Sequence, residues 1–323
     1  MIETRVIRLH KTGGPEVLVE ETIPLDLPGP GEVIVRNTAI GLNFIDTYFR
    51  SGLYPAALPF IPGNEGAGIV DQVGAEVTHL KPGDRVAYLS AGAYASHTKV
   101  VASSVVKLPD SIAYDQAAAV LLKGLTAWML LFEVRRARPG ETALVWAAAG
   151  GVGSLLVPWA RSLGVRVIAV VSTEEKAARV RANGAEDVLL SHEDIPARVH
   201  ELTAGRGVDV SYDSVGKDSA DASLAALRPR GWFVTYGNAS GPVAPIAPAR
   251  LSMGGSLNMT RPTLFSFIST PQEMAAGTAA LFGALQVGTL KADIGHRVPL
   301  AKVAEAHKAI QARQTMGSTV LIP

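Results

Sequence analysis

The sequence predicts an α/β protein in which a doubly wound parallel sheet is inserted into an antiparallel β-barrel domain. Three observations support this fold class. Short β-rich runs separated by Gly/Pro turns extend to about residue 110, strands and helices alternate over residues 123–262, and the remaining tail is too short to fold alone. A chain of 323 residues also suggests about two domains. We therefore expect residues 1–122 and 263–323 to form the barrel domain and residues 123–262 to form the insert.

The first part of the chain has the pattern of a compact barrel. Turn clusters such as Thr12-Gly13-Gly14-Pro15 separate its short apolar runs. Residues 43–49 and residues 114–122 are predicted to be helical instead. The clearest strands are predicted at residues 32–40 and 68–73, and further strands are predicted at residues 84–88 and 94–101.

The alternating part predicts a parallel sheet covered by helices on both faces. A late strand from Gly255 to Thr260 is expected at the sheet edge, where it could pair with its copy in a second subunit and form a homodimer. The other strands are predicted at residues 142–146, 166–171, 187–190, 208–212 and 232–236. The helices between them are predicted at residues 151–163, 174–182, 195–203 and 219–227. The tail is expected to add helices at residues 271–287 and 302–312 and a strand at residues 318–322.

Residues 147–153 (Ala-Ala-Ala-Gly-Gly-Val-Gly) join the first strand of the alternating part to its first helix. They form a variant of the dinucleotide-binding fingerprint in which Ala148 stands at the first glycine position. Because the turn carries little side-chain bulk, backbone N–H groups and the positive helix end can approach a diphosphate closely. A tight structural turn would have the same composition, so the motif alone leaves both interpretations open. The candidate cofactor contacts here are Ala149, Gly150, Gly151, Val152 and Gly153.

The end of the second predicted strand indicates which dinucleotide is bound. Domains that prefer NAD place an acidic residue there to bond the ribose 2′-hydroxyl. This chain has Ser172 at that point and Lys176 one turn into the next helix. A 2′-phosphate would accept hydrogen bonds from both and would be repelled by an aspartate, so the sequence favours NADPH. Ser172 or Thr173 could also simply cap the helix, and the two roles are compatible.

Composition excludes several other classes of function. The net charge is +1 with no basic stripe, so nucleic-acid binding has no support. Cysteine is absent, and the seven histidines show no paired metal-ligand spacing, so no metal is expected. The N-terminus does not have the pattern of a signal peptide, and the longest apolar runs are too short for a membrane span. We expect a cytoplasmic protein with no membrane partner.

Several ordered segments carry a more specific signal: residues 10–18, 41–48, 50–55, 122–126, 147–153, 212–216, 236–238 and 260–262. Over nearly its whole length, the chain resembles the zinc-free quinone oxidoreductases of the medium-chain dehydrogenase/reductase superfamily, the group that includes zeta-crystallin. The resemblance implies a GroES-like domain with an inserted Rossmann domain, NADPH as cofactor, no metal and usually a homodimer. Zinc-dependent relatives carry Gly-His-Glu where this chain has Gly63-Asn64-Glu65, and they also need a cysteine ligand.

Carried over residue by residue, the resemblance implies a contact of Asn43 near the nicotinamide and a substrate pocket lined by Tyr48 and Tyr54. These three are the candidate catalytic residues. Asn43 could instead cap the following helix, and the tyrosines could be ordinary packing residues. The other implied cofactor contacts are Lys123, Thr126, Ser214, Gly216, Gly237, Asn238 and Arg313, the last of which could equally be a solvated helix end.

Two positions depart from the family pattern, and the first is Pro158, which replaces a residue compatible with a straight helix. Where the family commonly has a tyrosine at the adenosine end of the cofactor, this chain has Ser191 followed by His192. Ser191 is a candidate cofactor contact there. Stacking on the adenosine is in doubt, and His192 is the residue that could substitute for the tyrosine.

The predicted activity is transfer of hydride from NADPH to a quinone or another electrophilic carbonyl. The sequence has no Ser/His/Asp set, no paired carboxylates and no Tyr-x-x-x-Lys relay, so catalysis is expected to depend on positioning, with water supplying the proton. Two alternatives remain open. One is reduction of the double bond of an enone or an enoyl thioester, and the other is an NADPH-binding protein with a non-catalytic role.

Overall fold

The computed structural model describes all residues, Met1–Pro323, and divides them into two compact units. The first unit contains Met1–Leu125, Ile268–Gln286 and Ala292–Pro323. The second unit contains Thr126–Phe267 together with the short segment Val287–Lys291, which the sequence did not indicate.

The helices and strands follow one another in this order. The chain begins with β1 (Ile2–Arg8), β2 (Val19–Leu25), β3 (Glu32–Leu42), α1 (Phe44–Ser51), β4 (Glu65–Val73), β5 (Arg85–Leu89), β6 (His97–Val101), β7 (Val105–Lys107) and α2 (Tyr114–Trp128). It continues with β8 (Thr142–Trp146), α3 (Gly153–Ser162), β9 (Arg166–Val171), α4 (Glu174–Ala182), β10 (Asp187–Leu190), α5 (Ile195–Leu202), β11 (Val208–Asp213), α6 (Ala220–Ala225), β12 (Leu227–Thr235), α7 (Pro248–Met253) and β13 (Asn258–Thr260). It ends with α8 (Pro271–Gln286), β14 (Ile294–Pro299), α9 (Val303–Gln311) and β15 (Ser318–Ile322).

The first unit is built on a seven-stranded sheet. Its strand order is β14-β15-β3-β4-β5-β7, with β6 beside β3, and all pairs are antiparallel except β14 with β15. Thr319 in the last strand pairs with Leu42 in β3, so the end of the chain completes a sheet that its beginning starts. Alternate residues of β3 such as Val33 and Val35 enter the apolar core.

The second unit has the doubly wound sheet that the sequence predicts. All six strands are parallel, in the order β10-β9-β8-β11-β12-β13, which is the Rossmann order 3-2-1-4-5-6 when counted from β8. The chain reverses its direction of winding between β8 and β11. Ligands bind such sheets outside the carboxyl ends of the strands at this point.

Several predicted elements have different bounds in the structure, and two of them show why. The helix predicted at residues 114–122 runs to Trp128 and continues as a π-helical segment, Met129–Val134. Its apolar side chains are buried, so no polar face marks its end in the sequence. The edge strand predicted from Gly255 to Thr260 is limited to β13, because Gly255 and Ser256 take positive φ angles of 102° and 58°. The helix α7 was not predicted.

The stretch Tyr114–Val134 is also the one helix that is long and apolar enough to cross a membrane by length and composition. Within the protein, 72% of its apolar window is buried. A buried core helix has the same length and composition, so this helix is only weak evidence for a membrane span.

Candidate functional site

Asn43 lies at the start of α1 and is held through both its backbone and its side chain. Asp46, three residues later, accepts a hydrogen bond from the Asn43 backbone N–H at 2.9 Å, which anchors the first turn of the helix. The Asn43 side-chain Nδ2 donates to Glu65 Oε1 at 2.7 Å. Asn43 therefore occupies the cap position, as one interpretation of the sequence expected, and its amide also has a second, buried partner.

Glu65 joins three donors in the interior of the first unit. Its Oε1 accepts from Asn43 Nδ2 and, at 2.8 Å, from Lys123 Nζ, while its Oε2 accepts from the Leu122 backbone N–H at 2.7 Å. Glu65 is fully buried and Lys123 is 5% exposed. The structure thus brings together two predicted site residues, Asn43 and Lys123, through a carboxylate to which the sequence analysis gave no role.

A second buried carboxylate, Asp46, accepts from polar side chains beyond α1. Asn64 Nδ2 donates to its Oδ1 at 2.6 Å, and the Tyr94 hydroxyl donates to its Oδ2 at 2.9 Å. Complete burial raises the pKa of Asp46 to about 6, although the hydrogen bonds from Asn43, Asn64 and Tyr94 act in the opposite direction. Asp46 is therefore held at a strand-helix junction in an environment that disfavours its charge.

The network continues from Tyr94 to α9. The Tyr94 hydroxyl lies 3.0 Å from His307 Nε2, and Arg50 Nη1 lies 3.2 Å from His307 Nδ1. Arg50 also donates to Gly13 O and Gln311 Oε1. Burial, together with the positive charge of Arg50, lowers the pKa of His307 to about 3, so this imidazole is neutral across the physiological range.

Tyr48 and Tyr54 form an aromatic pair on α1 and the segment after it. Their ring centroids are 5.2 Å apart, and the Tyr54 backbone N–H donates to Tyr48 O at 3.1 Å. Phe49 packs edge-on against Tyr54 with a centroid separation of 5.7 Å. Tyr48 is 7% exposed and Tyr54 is partly exposed. The two predicted pocket residues are thus neighbours and orient each other.

The turn after β8 is tight and consists of small residues. Ala147 adopts a left-handed φ of 52°, and its carbonyl accepts from the Gly150 N–H at 2.8 Å. A Cβ at Gly153 would lie 2.5 Å from Ala147 O, so this position has space only for glycine. The turn therefore keeps the backbone clear of side chains at the start of α3, which fits a dinucleotide phosphate.

The end of β9 carries both groups predicted to favour a 2′-phosphate. Lys176 Nζ donates to Ser172 Oγ at 3.2 Å. Thr173 Oγ1 accepts from the Lys176 backbone N–H at 3.3 Å and is the cap of α4. The capping role therefore belongs to Thr173, while the Ser172 hydroxyl is paired with the lysine ammonium. Both groups are partly exposed, and the two glutamates between them in the sequence, Glu174 and Glu175, are exposed in the first turn of α4.

The loops after β11 and β12 meet at the same edge of the sheet. A Cβ at Gly237 would lie 2.3 Å from Ser214 O, and one at Gly216 would lie 2.4 Å from Gly241 O. Asp213 Oδ1 accepts from the Gly216 N–H at 3.0 Å and fixes the first loop. In the orientation that satisfies its hydrogen bonds, Asn238 accepts from Arg261 Nη2 at 3.2 Å.

The remaining predicted contacts occupy separate positions. Ser191 and His192 are exposed after β10, and the Ser191 N–H donates to Val171 O at 2.8 Å. Thr126 is 8% exposed within α2. Arg313 follows α9 with a left-handed φ of 57°, and its N–H donates to Ile310 O, as expected where a helix ends.

The protein contains no group of three or more His, Cys, Asp or Glu side chains arranged to hold a metal ion. Asn64 is engaged with Asp46, and an amide of this kind is a poor ligand for zinc compared with imidazole or thiolate. The donor set around Asn43 is therefore organised by hydrogen bonds.

Sequence reasoning missed several residues of these networks, among them Asp46, Glu65, Tyr94, Asp213 and His307. Asp46, Glu65 and Asp213 lie inside motifs already singled out, residues 41–48, 63–65 and 212–216, so their position was a usable signal. Tyr94 and His307 carried no sequence signal, because only the fold brings His307 of α9 to Tyr94, which is 213 positions away in the chain.

Comparison with known families gives the class of protein. Residues 29–110 match the alcohol dehydrogenase GroES-like domain, and residues 151–284 match the zinc-binding dehydrogenase domain. A GroES-like domain with a Rossmann sheet inserted in it defines a medium-chain dehydrogenase/reductase.

Individual relatives give the family within that class. A quinone oxidoreductase of Pseudomonas aeruginosa is 51% identical over 98% of this chain and 99% of its own length. A 2-haloacrylate reductase of a Burkholderia species is 43% identical over 98% of each chain. The structure of Escherichia coli quinone oxidoreductase complexed with NADPH superposes with a TM-score of 0.97 at 43% identity, covering 99% of this chain and 100% of that one. The chain belongs to the quinone oxidoreductase family.

Proposed function

We propose that this protein is an NADPH-dependent quinone oxidoreductase that transfers hydride to a quinone without a metal ion. The observation that carries the proposal is the Lys176–Ser172 pair at the end of β9, in a chain half identical to a quinone oxidoreductase. Basic and hydroxyl donors at this point of a Rossmann sheet suit a 2′-phosphate. The solved relative in complex with NADPH supports the same cofactor.

NADPH would be held mainly by the second unit. The diphosphate would rest on residues 149–153, the 2′-phosphate on Ser172 and Lys176, and the adenosine near Ser191. The loops carrying Ser214, Gly216, Gly237 and Asn238 would contact the nicotinamide half. Asn43, Lys123, Thr126 and Arg313 complete the proposed set of contacts, with the first unit serving as the substrate domain.

The bound cofactor supplies the hydride, and the residues of this chain position the acceptor. Asn43 and Tyr54 would polarise a carbonyl oxygen of the quinone. Tyr48 would line the pocket and keep the Tyr54 ring in its orientation through their aromatic contact. A near-attack geometry in a water-poor site accounts for most of the rate in such a mechanism. Water would supply the proton, since the sequence has no Ser/His/Asp set and no Tyr-x-x-x-Lys relay.

A second candidate function is reduction of an activated carbon–carbon double bond. The relative named 2-haloacrylate reductase favours it, because a haloacrylate is an electron-poor alkene. Hydride delivery from the same cofactor position would serve either acceptor.

One experiment separates these functions. Oxidation of NADPH and of NADH is followed at 340 nm with a benzoquinone, a naphthoquinone, a short enone, a crotonyl thioester and 2-chloroacrylate. We expect the quinones to give the highest kcat/KM, with NADPH preferred. Preference for the alkenes would support the second candidate. Tight NADPH binding without oxidation by any acceptor would indicate the non-catalytic role.

We also propose a cytoplasmic homodimer that pairs through β13. This strand is the last of its sheet, and Met259 is 37% exposed there. Like charges placed opposite each other across a two-fold axis destabilise a paired edge. Light scattering should therefore give a dimer mass for the native protein and a monomer mass for Met259→Asp, and a native monomer would reject this assembly.

A further inference from the structure

The Glu65 carboxylate has no exposure to solvent, and it accepts hydrogen bonds from three groups. Lys123 Nζ and Asn43 Nδ2 both donate to its Oε1, at 2.8 and 2.7 Å, and the Leu122 backbone N–H donates to its Oε2. Burying a carboxylate is unfavourable unless a partner of opposite charge compensates for it. Replacement of such a pair by apolar residues is often neutral for stability, so stability alone does not explain its presence.

The local backbone is shaped to make room for this carboxylate. A Cβ at Gly41 would lie 2.1 Å from Glu65 Oε1 and 2.2 Å from the Ala118 carbonyl oxygen. Only glycine at position 41 therefore allows β3 to pass beside Glu65 and α2. The arrangement joins the cap of α1, the start of β4 and the middle of α2 at one oxygen atom.

The two donors on Oε1 are neighbours, and the lysine has capacity for a further acceptor. A lysine ammonium has three N–H groups, and Glu65 accepts one of them. The Asn43 amide directs one N–H to the same oxygen, and its Nδ2 also makes a long contact of 3.4 Å with the Gly41 carbonyl oxygen. A cation and an amide donor are thus fixed side by side, next to the helix that carries Tyr48.

We infer that Glu65 is a positioning residue for hydride transfer, holding the Lys123 ammonium and the Asn43 amide together as paired donors for the oxygen of the electron acceptor. This rests on the proposed function, since it assigns the acceptor to the same site. When hydride reaches a quinone, negative charge develops on its oxygen. Donors that are already oriented stabilise that charge without reorganising, which lowers the barrier and not only the free energy of binding.

The first test is Glu65→Gln. Glutamine keeps the shape of the side chain, but its NH₂ group replaces one of the two accepting oxygens. At least one of the three donors then loses its acceptor, so Lys123 and Asn43 are no longer held together. We expect kcat for quinone reduction to fall roughly 10- to 100-fold. The Kd of NADPH, measured by fluorescence titration, should rise by a smaller factor than kcat falls, because most of the proposed cofactor contacts lie in the second unit and are unchanged.

A double-mutant cycle distinguishes positioning from a structural role. If Glu65 acts through Lys123, the double variant Glu65→Gln/Lys123→Met should have the same kcat as Lys123→Met alone. The double variant removes both buried charges and is expected to fold even if the single glutamine variant does not. Losses in kcat that multiply would overturn the inference, as would a glutamine variant with native kcat.

A matched control is Lys107→Met. Lys107 also pairs with a carboxylate of the first unit, Asp84, at 2.9 Å, but it is 54% exposed. Its kcat should remain native, and a loss equal to that of Lys123→Met would overturn the inference. Failure of the native protein to oxidise NADPH with any acceptor would instead contradict the proposed function, so the two failures are distinguishable.

Discussion

The Tyr94 hydroxyl donates to Asp46 Oδ2 at 2.9 Å while lying 3.0 Å from His307 Nε2, so one phenol connects a buried acid to a buried imidazole. Arg50 can only donate, so His307 Nδ1 accepts from it and the neutral ring carries its proton on Nε2. All hydrogen bonds then run in one direction, from the arginine to the carboxylate. This chain of donors connects α9 to the helix that begins after Asn43.

Tyr94→Phe should destabilise the protein in a pH-dependent way. Loss of this donor removes one of the hydrogen bonds that favour the Asp46 carboxylate, so the pKa of Asp46 should rise above about 6. At pH 8, where native Asp46 is charged, we expect a loss of about 2 kcal/mol in the free energy of unfolding. At pH 5 the acid is largely protonated, and the loss should be smaller by about 1 kcal/mol.

Urea unfolding at the two pH values measures this difference, with Tyr88→Phe as the control. Tyr88 is equally buried, but its hydroxyl donates to a neutral partner, Asn37 Oδ1, at 2.9 Å. Its loss should be the same at both pH values. A pH-independent cost for Tyr94→Phe would contradict the role given to the Asp46 charge.

His307→Gln should reduce the loss of stability on acidification. The native pKa of His307, about 3, lies below its value in the unfolded chain, so the unfolded state takes up a proton first as pH falls below about 6.5. The native protein should lose about 2 kcal/mol from this group between pH 7 and pH 5. Asp46 acts in the opposite sense over part of this range, because its native pKa is raised.

Denaturant titrations of both proteins at the two pH values give the comparison. The difference between native and His307→Gln isolates the histidine, since glutamine can accept from Arg50 and donate to Tyr94 without titrating. If both proteins respond equally to pH, the buried neutral imidazole is not the source of the acid sensitivity.

Lys176→Met should weaken the binding of NADPH but not that of NADH. A charge-assisted hydrogen bond to phosphate contributes about 1.5 to 3 kcal/mol, so KM for NADPH should rise roughly 10- to 100-fold. KM for NADH should change little, because NADH lacks the 2′-phosphate. Arg181→Met, on the same helix but paired with Glu174 at 3.7 Å, is the control and should leave both values unchanged. An equal rise in both KM values would place the 2′-phosphate elsewhere.

Gly153→Ala should impair both folding and NADPH binding. The new Cβ would meet Ala147 O at 2.5 Å and Ala148 Cα at 2.7 Å, both backbone atoms, so the turn must shift. Overpacking of this kind costs about 1 to 3 kcal/mol. Gly283→Ala in α8 has open space around its Cβ and should be neutral or stabilising. Thermal unfolding with and without NADPH measures both effects, and a native response from Gly153→Ala would show that the turn tolerates a side chain.

Tyr54→Phe and Asn43→Ala should each lower turnover without abolishing it. Both groups are proposed to polarise the acceptor, while the rate depends mainly on positioning and the proton comes from water. Steady-state kinetics with the best quinone of the acceptor panel measures the change. A fall of Tyr54→Phe to the uncatalysed rate would show that the tyrosine is an obligate acid.

Much of the dinucleotide domain followed from local patterns. Strands such as Thr142–Trp146 and Arg166–Val171 were predicted at their observed bounds, because buried parallel strands are continuous apolar runs bounded by turns. Helix ends were less well predicted. α2 extends six residues beyond the predicted Leu122, since a helix buried on all sides lacks the polar face that marks a boundary.

The sequence by itself determined the fold class, the glycine turn at residues 147–153 and the candidate 2′-phosphate contacts Ser172 and Lys176. Each of these depends on neighbours within a few residues or on the hydrophobic period of one element. Only the tertiary structure decided that Asn43 and Lys123 share a hydrogen-bond partner. Their common partner, Glu65, is 22 residues from one and 58 from the other, and no local pattern encodes which buried donors meet at one carboxylate. Burial also decided the ionisation of Asp46 and His307, since a pKa depends on the solvent and charges that the folded chain places around each group.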